Sequence, residues 1–95
     1  MIFVFERLSV KEITISIIKK YRIPCLLKHL SVEVTGDWEL KSDKKWVTFA
    51  LTQIIDNAIK YSKDNGKIII RISQASIEIS DDGSGILEED LPRIF

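Results

Sequence analysis

Apolar residues along the chain change their spacing several times, and these changes predict the order of the elements. Residues 2–8 (IFVFERL) are rich in strand formers and predict a first strand. Ser9 and Glu12 have the spacing of a capping box in front of an isoleucine-rich stretch. We therefore predict a helix over residues 10–22, which Pro24 stops. Because these isoleucines nearly alternate, a strand remains the alternative.

The middle of the chain predicts two short strands and then the strongest helix. Alternating polar and apolar residues predict strands over residues 30–34 and 38–41, separated by a Gly-Asp turn. A longer amphipathic stretch predicts a helix over residues 44–62, with Ser42 or Asp43 as its N-cap.

The helix predicted over residues 44–62 has one apolar and one polar face at about 100° per residue. The polar sector consists of Thr52, Gln53, Asp56, Asn57 and Lys60. The opposite side consists of Val47, Leu51, Ile54, Ile55, Ala58 and Ile59. Trp46 and Phe49 fall near the start of the polar sector, so we expect both faces of the helix to be covered at that end.

The C-terminal third predicts a β-hairpin. The turn signal KDNG precedes KIIIRIS and SIEIS, which have the composition of two strands. Ile77 and Ile79 share the parity of Asp81, so a strand that reaches Asp81 would direct its carboxylate toward the buried face.

The segment DDGSG at residues 81–85 is expected to end the second strand of this hairpin. The following residues predict a short helical or irregular segment, with the acidic residues 88–90 in the first turn of a helix.

Composition narrows the class of protein. The 95 residues suffice for one domain, and 45% hydrophobic with 29% charged residues is typical of a globular chain. Fourteen basic and fourteen acidic residues balance, which argues against a general binder of nucleic acid or anionic membranes. One cysteine excludes an internal disulfide and a multi-cysteine metal site. The apolar run at residues 1–5 is far too short to span a membrane.

Asn57, Lys60 and Tyr61 bring three different chemical groups together near the end of the predicted helix. An amide oxygen is a hard ligand suited to Mg²⁺, an ammonium can neutralise phosphate, and an aromatic ring can pack against a base. The structural alternative is the solvated face of an amphipathic helix.

The segment that follows the hairpin offers complementary groups. An inward Asp81 could accept a hydrogen bond from an adenine amino group, and Gly83 and Gly85 would allow a tight turn and a close approach of the backbone to a ligand. Taken alone, this segment is more often an ordinary turn.

These motifs together resemble a known family. QIIDNAIKYS resembles the N-box of sensor histidine kinases of the GHKL superfamily, and DDGSGILEEDLPRIF resembles their first glycine box (DxGxG) running into the F-box. SDKKWVTFALTQIIDNAIKYS is especially similar to kinases of the small intramembrane-sensing type that respond to cell-envelope stress.

The resemblance covers roughly residues 5–95 in element order and implies a fold. It implies an α+β protein with a two-layer α/β sandwich of the Bergerat ATP-binding type, in which helices pack on a mixed sheet. Residues 1–95 would be the N-terminal part of the catalytic domain, without the ATP lid and the second glycine box. The sandwich would therefore be incomplete.

The resemblance also implies a set of site residues, with ATP and Mg²⁺ as cofactors. Asn57 would coordinate Mg²⁺, Lys60 would contact phosphate, and Tyr61 would lie along the adenine. Asp81 would bind the adenine amino group, and Gly83 and Gly85 would shape the base pocket. For Asp56 we expect a polar or structural role only.

Gln53 departs from the family pattern, in which many members have Asn or Glu at the first N-box position. It remains a second candidate contact for Mg²⁺, but a carboxamide cannot act as a general base. Since related ATPases use Glu there to hydrolyse ATP, Gln53 favours the kinase branch.

The implied activity is transfer of a phosphoryl group from ATP to a histidine in two-component signal transduction. We expect no catalytic residue in this chain, which would be inactive alone, because the acceptor histidine would lie on a separate dimerisation domain. His29 lacks the family's histidine-box context, so a role at the surface or at a strand edge is expected. Cys25 is expected to be a small buried residue or an unreactive surface thiol.

The expected partners are the protein's own dimerisation domain and a response regulator, with a homodimer in the full protein. The location would be cytoplasmic, as the cytosolic domain of a membrane-bound kinase whose contact with the membrane involves only other segments. Two alternatives stay open: a non-catalytic interaction or oligomerising module with this fold, and a related ATPase or serine-kinase regulator of the same superfamily.

Overall fold

The computed structural model describes residues 5–74, 76–81 and 85–90. The elements within these ranges are β1 (Phe5–Ser9), α1 (Val10–Lys20), α2 (Arg22–Leu27), β2 (Ser31–Gly36), β3 (Glu39–Asp43), α3 (Lys44–Lys60), β4 (Lys67–Ser73), β5 (Ser76–Asp81) and β6 (Gly85–Asp90). The order confirms the first strand, the two strands before the long helix and the C-terminal hairpin.

The strands form two sheets. The larger sheet has the order β2-β4-β5-β6, in which β2 and β4 are parallel and the other neighbours are antiparallel. The smaller sheet pairs β1 with β3 in antiparallel fashion. The larger sheet is therefore mixed, as the α+β prediction requires.

One hydrophobic core joins the helices to the larger sheet. Its side chains include Val10, Ile13 and Ile17 from α1, Val47, Leu51, Ile55 and Ile59 from α3, and Ile68, Ile70, Ile72, Ile77 and Ile79 from β4 and β5. Burying each large aliphatic side chain contributes roughly 1.5–3 kcal/mol. Helices packed on a mixed sheet confirm the predicted two-layer class.

Both predicted helix starts are confirmed by their caps. The Ser9 hydroxyl accepts a hydrogen bond from the Glu12 N–H at 3.2 Å, so α1 is a helix. A carboxylate oxygen of Asp43 accepts from the Lys45 N–H at 2.9 Å, which identifies Asp43 as the N-cap of α3. These contacts satisfy backbone donors that have no partner inside the helix.

The prediction that Pro24 stops the first helix is wrong. Helix α1 ends at Lys20, and α2 begins at Arg22 and contains Pro24 in its first turn. A backbone N–H has no intrahelical partner in the first turn, so a proline there loses no hydrogen bond.

The helical or irregular segment expected after DDGSG is wrong for residues 87–90, and its remainder, residues 91–95, lies outside the described residues. Residues 85–90, including the acidic residues 88–90, form β6, which pairs along its length with β5. Pairing with the preceding strand satisfies the backbone of β6, and this strand pairing outweighs the preference of acidic residues for a helix start.

The prediction that both faces of α3 are covered at the start of the helix is also wrong. Trp46 and Phe49 are 48% and 57% exposed, and their rings stack with centroids 5.9 Å apart. The core contacts only the opposite side of α3, where Val47 and Leu51 are fully buried. The two rings therefore cover one another.

None of the helices in the described ranges is long and apolar enough to cross a membrane.

Candidate functional site

The polar face of α3 is open to solvent, as its sequence pattern predicts. Gln53, Asn57 and Lys60 are exposed, while Asp56 is half-buried. These positions lie on neighbouring turns of one continuous helix, so side chains three and four residues apart lie roughly 5–6 Å from one another at Cβ. Tyr61 follows the last helical residue and is 76% exposed. The structure thus leaves the three predicted site residues of α3, Gln53, Asn57 and Lys60, and the following Tyr61 accessible to solvent.

The C-terminal turn of this helix is closed by local hydrogen bonds. The Tyr61 N–H donates to the Asn57 carbonyl oxygen at 3.1 Å, and the Ser62 hydroxyl donates to the Ala58 carbonyl oxygen at 2.6 Å. Ser62 is buried, so its hydroxyl needs this partner. These hydrogen bonds therefore fix the backbone conformation between Asn57 and Ser62.

A lysine from outside α3 completes the helix end. The Lys28 Nζ donates to the carbonyl oxygens of Ile59 at 2.9 Å, Lys60 at 2.8 Å and Ser62 at 3.2 Å. All three donors of the ammonium can thus be used on backbone acceptors at the end of the helix. No local pattern in the sequence signals these contacts, because the acceptors lie 31–34 positions away from Lys28.

The turn after α3 is hydrogen-bonded to the start of β2 in the larger sheet. The Gly66 N–H donates to the Lys63 carbonyl oxygen at 3.1 Å, which closes the predicted KDNG turn. The Ser31 N–H of β2 donates to the Gly66 carbonyl oxygen at 3.1 Å. The end of α3 and the starts of β2 and β4 therefore meet at one end of the molecule.

Asp81 belongs to this same end. It is the last residue of β5, and its backbone lies opposite Ile68 in β4 and Gly85 in β6. Strand β4 begins at Lys67, after the six residues 61–66 that follow α3. The strand does reach Asp81, as expected, and Ile77 and Ile79 are buried at the same parity. Gly83 lies outside the described residues.

Asp56 interacts with α1. Burial, and then the negative charge of the Asp56 carboxylate, raise the pKa of the Tyr21 phenol. Tyr21 ends α1 and packs against the core, so Asp56 links α3 to the end of α1.

His29 and Cys25 lie close to Lys28 in the chain. His29 is exposed, as expected, and has a positive φ of 54° in the turn between α2 and β2. Cys25 is buried, and burial raises the pKa of its thiol although the Lys28 charge opposes the shift. A buried thiol with a raised pKa is poorly reactive.

The side chains of the described residues include no group of three or more His, Cys, Asp and Glu that could hold a metal ion. A cleft of about 480 Å³ lies near the start of α3, where Lys44 and Thr48 face Glu12 and Lys20 of α1. This cleft is at the opposite end of α3 from Asn57 and contains none of the predicted site residues.

Comparison with known proteins identifies the class. Residues 42–95 match the family described as histidine kinase-, DNA gyrase B-, and HSP90-like ATPase. The chain belongs to this family, and the resemblance predicted from the N-box and glycine box is confirmed. Membership implies that the domain binds ATP.

Relatives place the chain more narrowly. It is 34% identical over 97 residues to the sensor protein BceS of Halalkalibacterium halodurans, covering 95% of the chain and 28% of that protein. It is 33% identical to the sensor histidine kinase GraS of Staphylococcus haemolyticus, and the match covers 96% of this chain and 28% of that protein. The chain thus corresponds to the catalytic ATP-binding domain of a two-component sensor histidine kinase and spans less than a third of the length of these relatives.

Solved structures support the fold. The catalytic domain of histidine kinase ThkA gives a TM-score of 0.65 at 19% identity, covering 83% of this chain and 58% of that one. The mycobacterial sensor histidine kinase MprB gives a TM-score of 0.68 at 22% identity, and the match covers 82% of this chain and 54% of that one. At these identities the match concerns the fold alone, and it confirms the predicted histidine-kinase architecture.

Proposed function

We propose that this chain binds Mg-ATP at the C-terminal end of α3 and that the whole protein transfers the γ-phosphoryl group to a histidine on its own dimerisation domain. The observation that carries the proposal is the exposed face of α3 with Gln53, Asn57 and Lys60, followed by the exposed Tyr61. The C-terminal end of this helix lies at the end of the molecule that also holds Asp81. Residues 1–95 would be the N-terminal part of the nucleotide-binding domain, and the ATP lid and second glycine box would belong to other parts of the protein.

Asn57 is the candidate metal ligand. Its carboxamide is exposed, and Mg²⁺ is commonly held by one or two protein oxygens together with phosphate oxygens and water. The donor set of this surface fits that requirement, because the remaining ligands come from the nucleotide. Gln53, one turn earlier on the same face, is the second candidate. When bound, Mg²⁺ would supply charge neutralisation at the phosphates.

Lys60 and the residues around it would hold the rest of the nucleotide. The exposed Lys60 ammonium, three residues after Asn57, suits the phosphates as a point charge. The exposed Tyr61 ring would lie along the adenine. Asp81 would accept a hydrogen bond from the adenine amino group, with Gly83 and Gly85 shaping the base pocket.

The chain's own residues would bind and orient ATP rather than react with it. Phosphoryl transfer depends mainly on positioning and charge neutralisation, which amide and ammonium groups supply. Gln53 cannot remove a proton from water, so the site is suited to transfer to a protein nucleophile rather than to hydrolysis. The chain alone would therefore bind nucleotide without becoming phosphorylated.

The partners follow from this activity. The histidine kinase ThkA has been crystallised in complex with the response regulator protein TrrA, which supports a response regulator as partner here. We also propose a homodimer formed through the dimerisation domain and a cytosolic location for this domain in a membrane-bound protein.

Isothermal titration with Mg-ADP tests the site. The wild-type chain should bind one nucleotide, and Asn57→Ala and Asp81→Ala should each weaken binding by roughly tenfold or more, since each removes a polar contact to a charged or buried group. Gln74→Ala is the matched control, because Gln74 is an exposed amide outside the site. Equal affinity in all four chains would refute the assignment of Asn57 and Asp81.

Exposed apolar residues favour a second candidate, a module that associates with another chain. Ile23, Leu26 and Leu27 of α2 are 62%, 58% and 77% exposed, and the Trp46–Phe49 stack is a further apolar surface. Light scattering that finds only monomer at high concentration would contradict association.

Labelling of the complete gene product separates the kinase from the superfamily's other activities. Incubation with γ-labelled ATP should give acid-labile, alkali-stable phosphate on the protein if a histidine is the acceptor. Phosphate release without labelling would indicate an ATPase, and acid-stable labelling would indicate a serine kinase.

A further inference from the structure

We propose that Lys28 is a positioning residue for the nucleotide site, through its cap on the C-terminal end of α3. The inference rests on the proposed function, because it concerns the same site. Lys28 itself lies between α2 and β2 and belongs to neither of the two sequence motifs.

The contacts of Lys28 join it to the residues that would bind nucleotide. Its ammonium donates to the carbonyl oxygens of Ile59, Lys60 and Ser62 at 2.8–3.2 Å. Lys60 is itself a proposed phosphate contact, and Tyr61 lies between two of the three acceptors. The position of the backbone at Lys60 and Tyr61 thus depends directly on one side chain from another part of the chain.

Lys28 is also held at its own backbone. Its carbonyl oxygen accepts from the Asn65 N–H at 2.7 Å, and its N–H donates to the Pro24 carbonyl oxygen at 3.2 Å. Asn65 has a positive φ of 63° in the turn after α3. Lys28 therefore contacts the end of α3 through its side chain and the following turn through its main chain, so the junction is fixed from two directions.

Charge gives this arrangement a second effect. The last carbonyl groups of a helix form a negative pole of about half an elementary charge. A nucleotide polyphosphate at Lys60 would approach this pole, and the two would repel each other. The Lys28 ammonium neutralises the pole where the phosphates would lie, so its removal should weaken binding of phosphate groups more than binding of the nucleoside.

Three variants test the inference. Lys28→Met removes the charge and the donors and keeps most of the aliphatic stem. Lys28→Arg keeps the charge and several donors. Lys19→Met is the control, because Lys19 is an exposed lysine in the last turn of α1. Calorimetry gives the affinities for Mg-ADP and adenosine, and amide hydrogen exchange by NMR reports the Tyr61 and Ser62 N–H groups, which close the helix end.

We expect Lys28→Met to bind Mg-ADP roughly tenfold more weakly than wild type, to change adenosine affinity less than threefold, and to exchange the two amides faster. Lys28→Arg should restore Mg-ADP affinity to within about threefold of wild type, and Lys19→Met should match wild type. If Lys28→Met does not fold, the Lys28→Arg variant decides. Weaker binding of Mg-ADP by Lys28→Arg, together with wild-type exchange of the Tyr61 and Ser62 amides, would contradict the inference.

The possible failures differ from one another. Wild-type affinity in Lys28→Met, while Asn57→Ala is weakened, would refute the role of Lys28 and leave the proposed site intact. An equal loss of Mg-ADP and adenosine affinity would refute the charge effect and reduce Lys28 to a structural residue. A wild-type chain that binds no Mg-ADP would refute the proposed function and this inference together.

Discussion

Gly36 of β2 lies directly against the backbone of Ile72 in β4, so that a Cβ added to Gly36 would collide with the Ile72 carbonyl oxygen. Gly36 also has a φ of +77°, which side chains of L-residues rarely adopt. We therefore expect Gly36→Ala to destabilise the chain by about 2 kcal/mol or more in urea unfolding. Thr35→Ala, at the exposed neighbouring position, should cost less than about 1 kcal/mol. Similar losses in both variants would mean that the close approach to Ile72 is not the cause.

Asp37 predicts a dependence of stability on pH. Burial opposes ionisation of its carboxyl, but hydrogen bonds from the Lys11 N–H, the Ser9 hydroxyl and the Trp38 N–H, together with the Lys11 charge, lower its pKa. Because the unfolded carboxyl takes up its proton first as pH falls below about 4, the contribution of Asp37 is complete at neutral pH and disappears as pH falls through the lower folded value.

The variant Asp37→Asn isolates this contribution. Asp37 is exposed, so the loss at pH 7 should stay below about 1 kcal/mol, and the difference from wild type should shrink as the pH falls below the ordinary carboxyl pKa and through the lower folded pKa. Urea unfolding at several pH values measures it, with Asp64→Asn, at an exposed turn position, as the control. A difference that grows toward low pH would have the wrong sign for this explanation.

The N-cap of α3 can be tested at Asp43. Asp43→Ala should destabilise the chain by about 1 kcal/mol, because the Lys45 N–H and the Trp46 N–H lose their carboxylate acceptor. Asp43→Asn keeps an acceptor oxygen and should cost only a few tenths of a kcal/mol. Thermal unfolding of both variants followed by circular dichroism is the measurement, and a loss in Asp43→Asn as large as in Asp43→Ala would contradict a capping role.

The core prediction compares two isoleucines. Ile55 of α3 is 1% exposed, so Ile55→Val should cost about 1 kcal/mol for the lost methylene group. Ile15 of α1 is 36% exposed, and Ile15→Val, with the same change in chemistry and similar helix propensity, should cost much less. Equal effects on the free energy of unfolding would contradict the buried orientation of Ile55.

Local sequence signals were sufficient for the elements that contain the candidate site. Helix α3 has a continuous amphipathic pattern and an N-cap at Asp43, and strands β4 and β5 have alternation and a turn signal before them. The exposure of Asn57 and Lys60 followed from the same pattern, because residues three positions apart share a helix face.

The features that sequence reasoning missed depend on interactions that the local pattern of residues does not reveal. Strand β6 is defined by its pairing with β5, and the cap by Lys28 depends on acceptors at least 31 positions away. The sequence pattern does not predict α2, because proline commonly ends a helix, whereas Pro24 lies in the first turn of α2, where proline is tolerated. Such contacts appear only after the chain has been arranged in space.

The parallel pairing of β2 with β4 has a consequence for the order of folding. Ser31 pairs with Lys67, 36 positions later, and the whole of α3 lies in the intervening segment. Closing a loop of this length costs conformational entropy before the strand pair is formed. Because α3 lies within this loop, the helix has to be accommodated when the two strands meet. The helix that carries the proposed nucleotide-binding residues thus lies within the loop that closes when the sheet forms, and the Lys28 contacts to its end form only when this loop has closed.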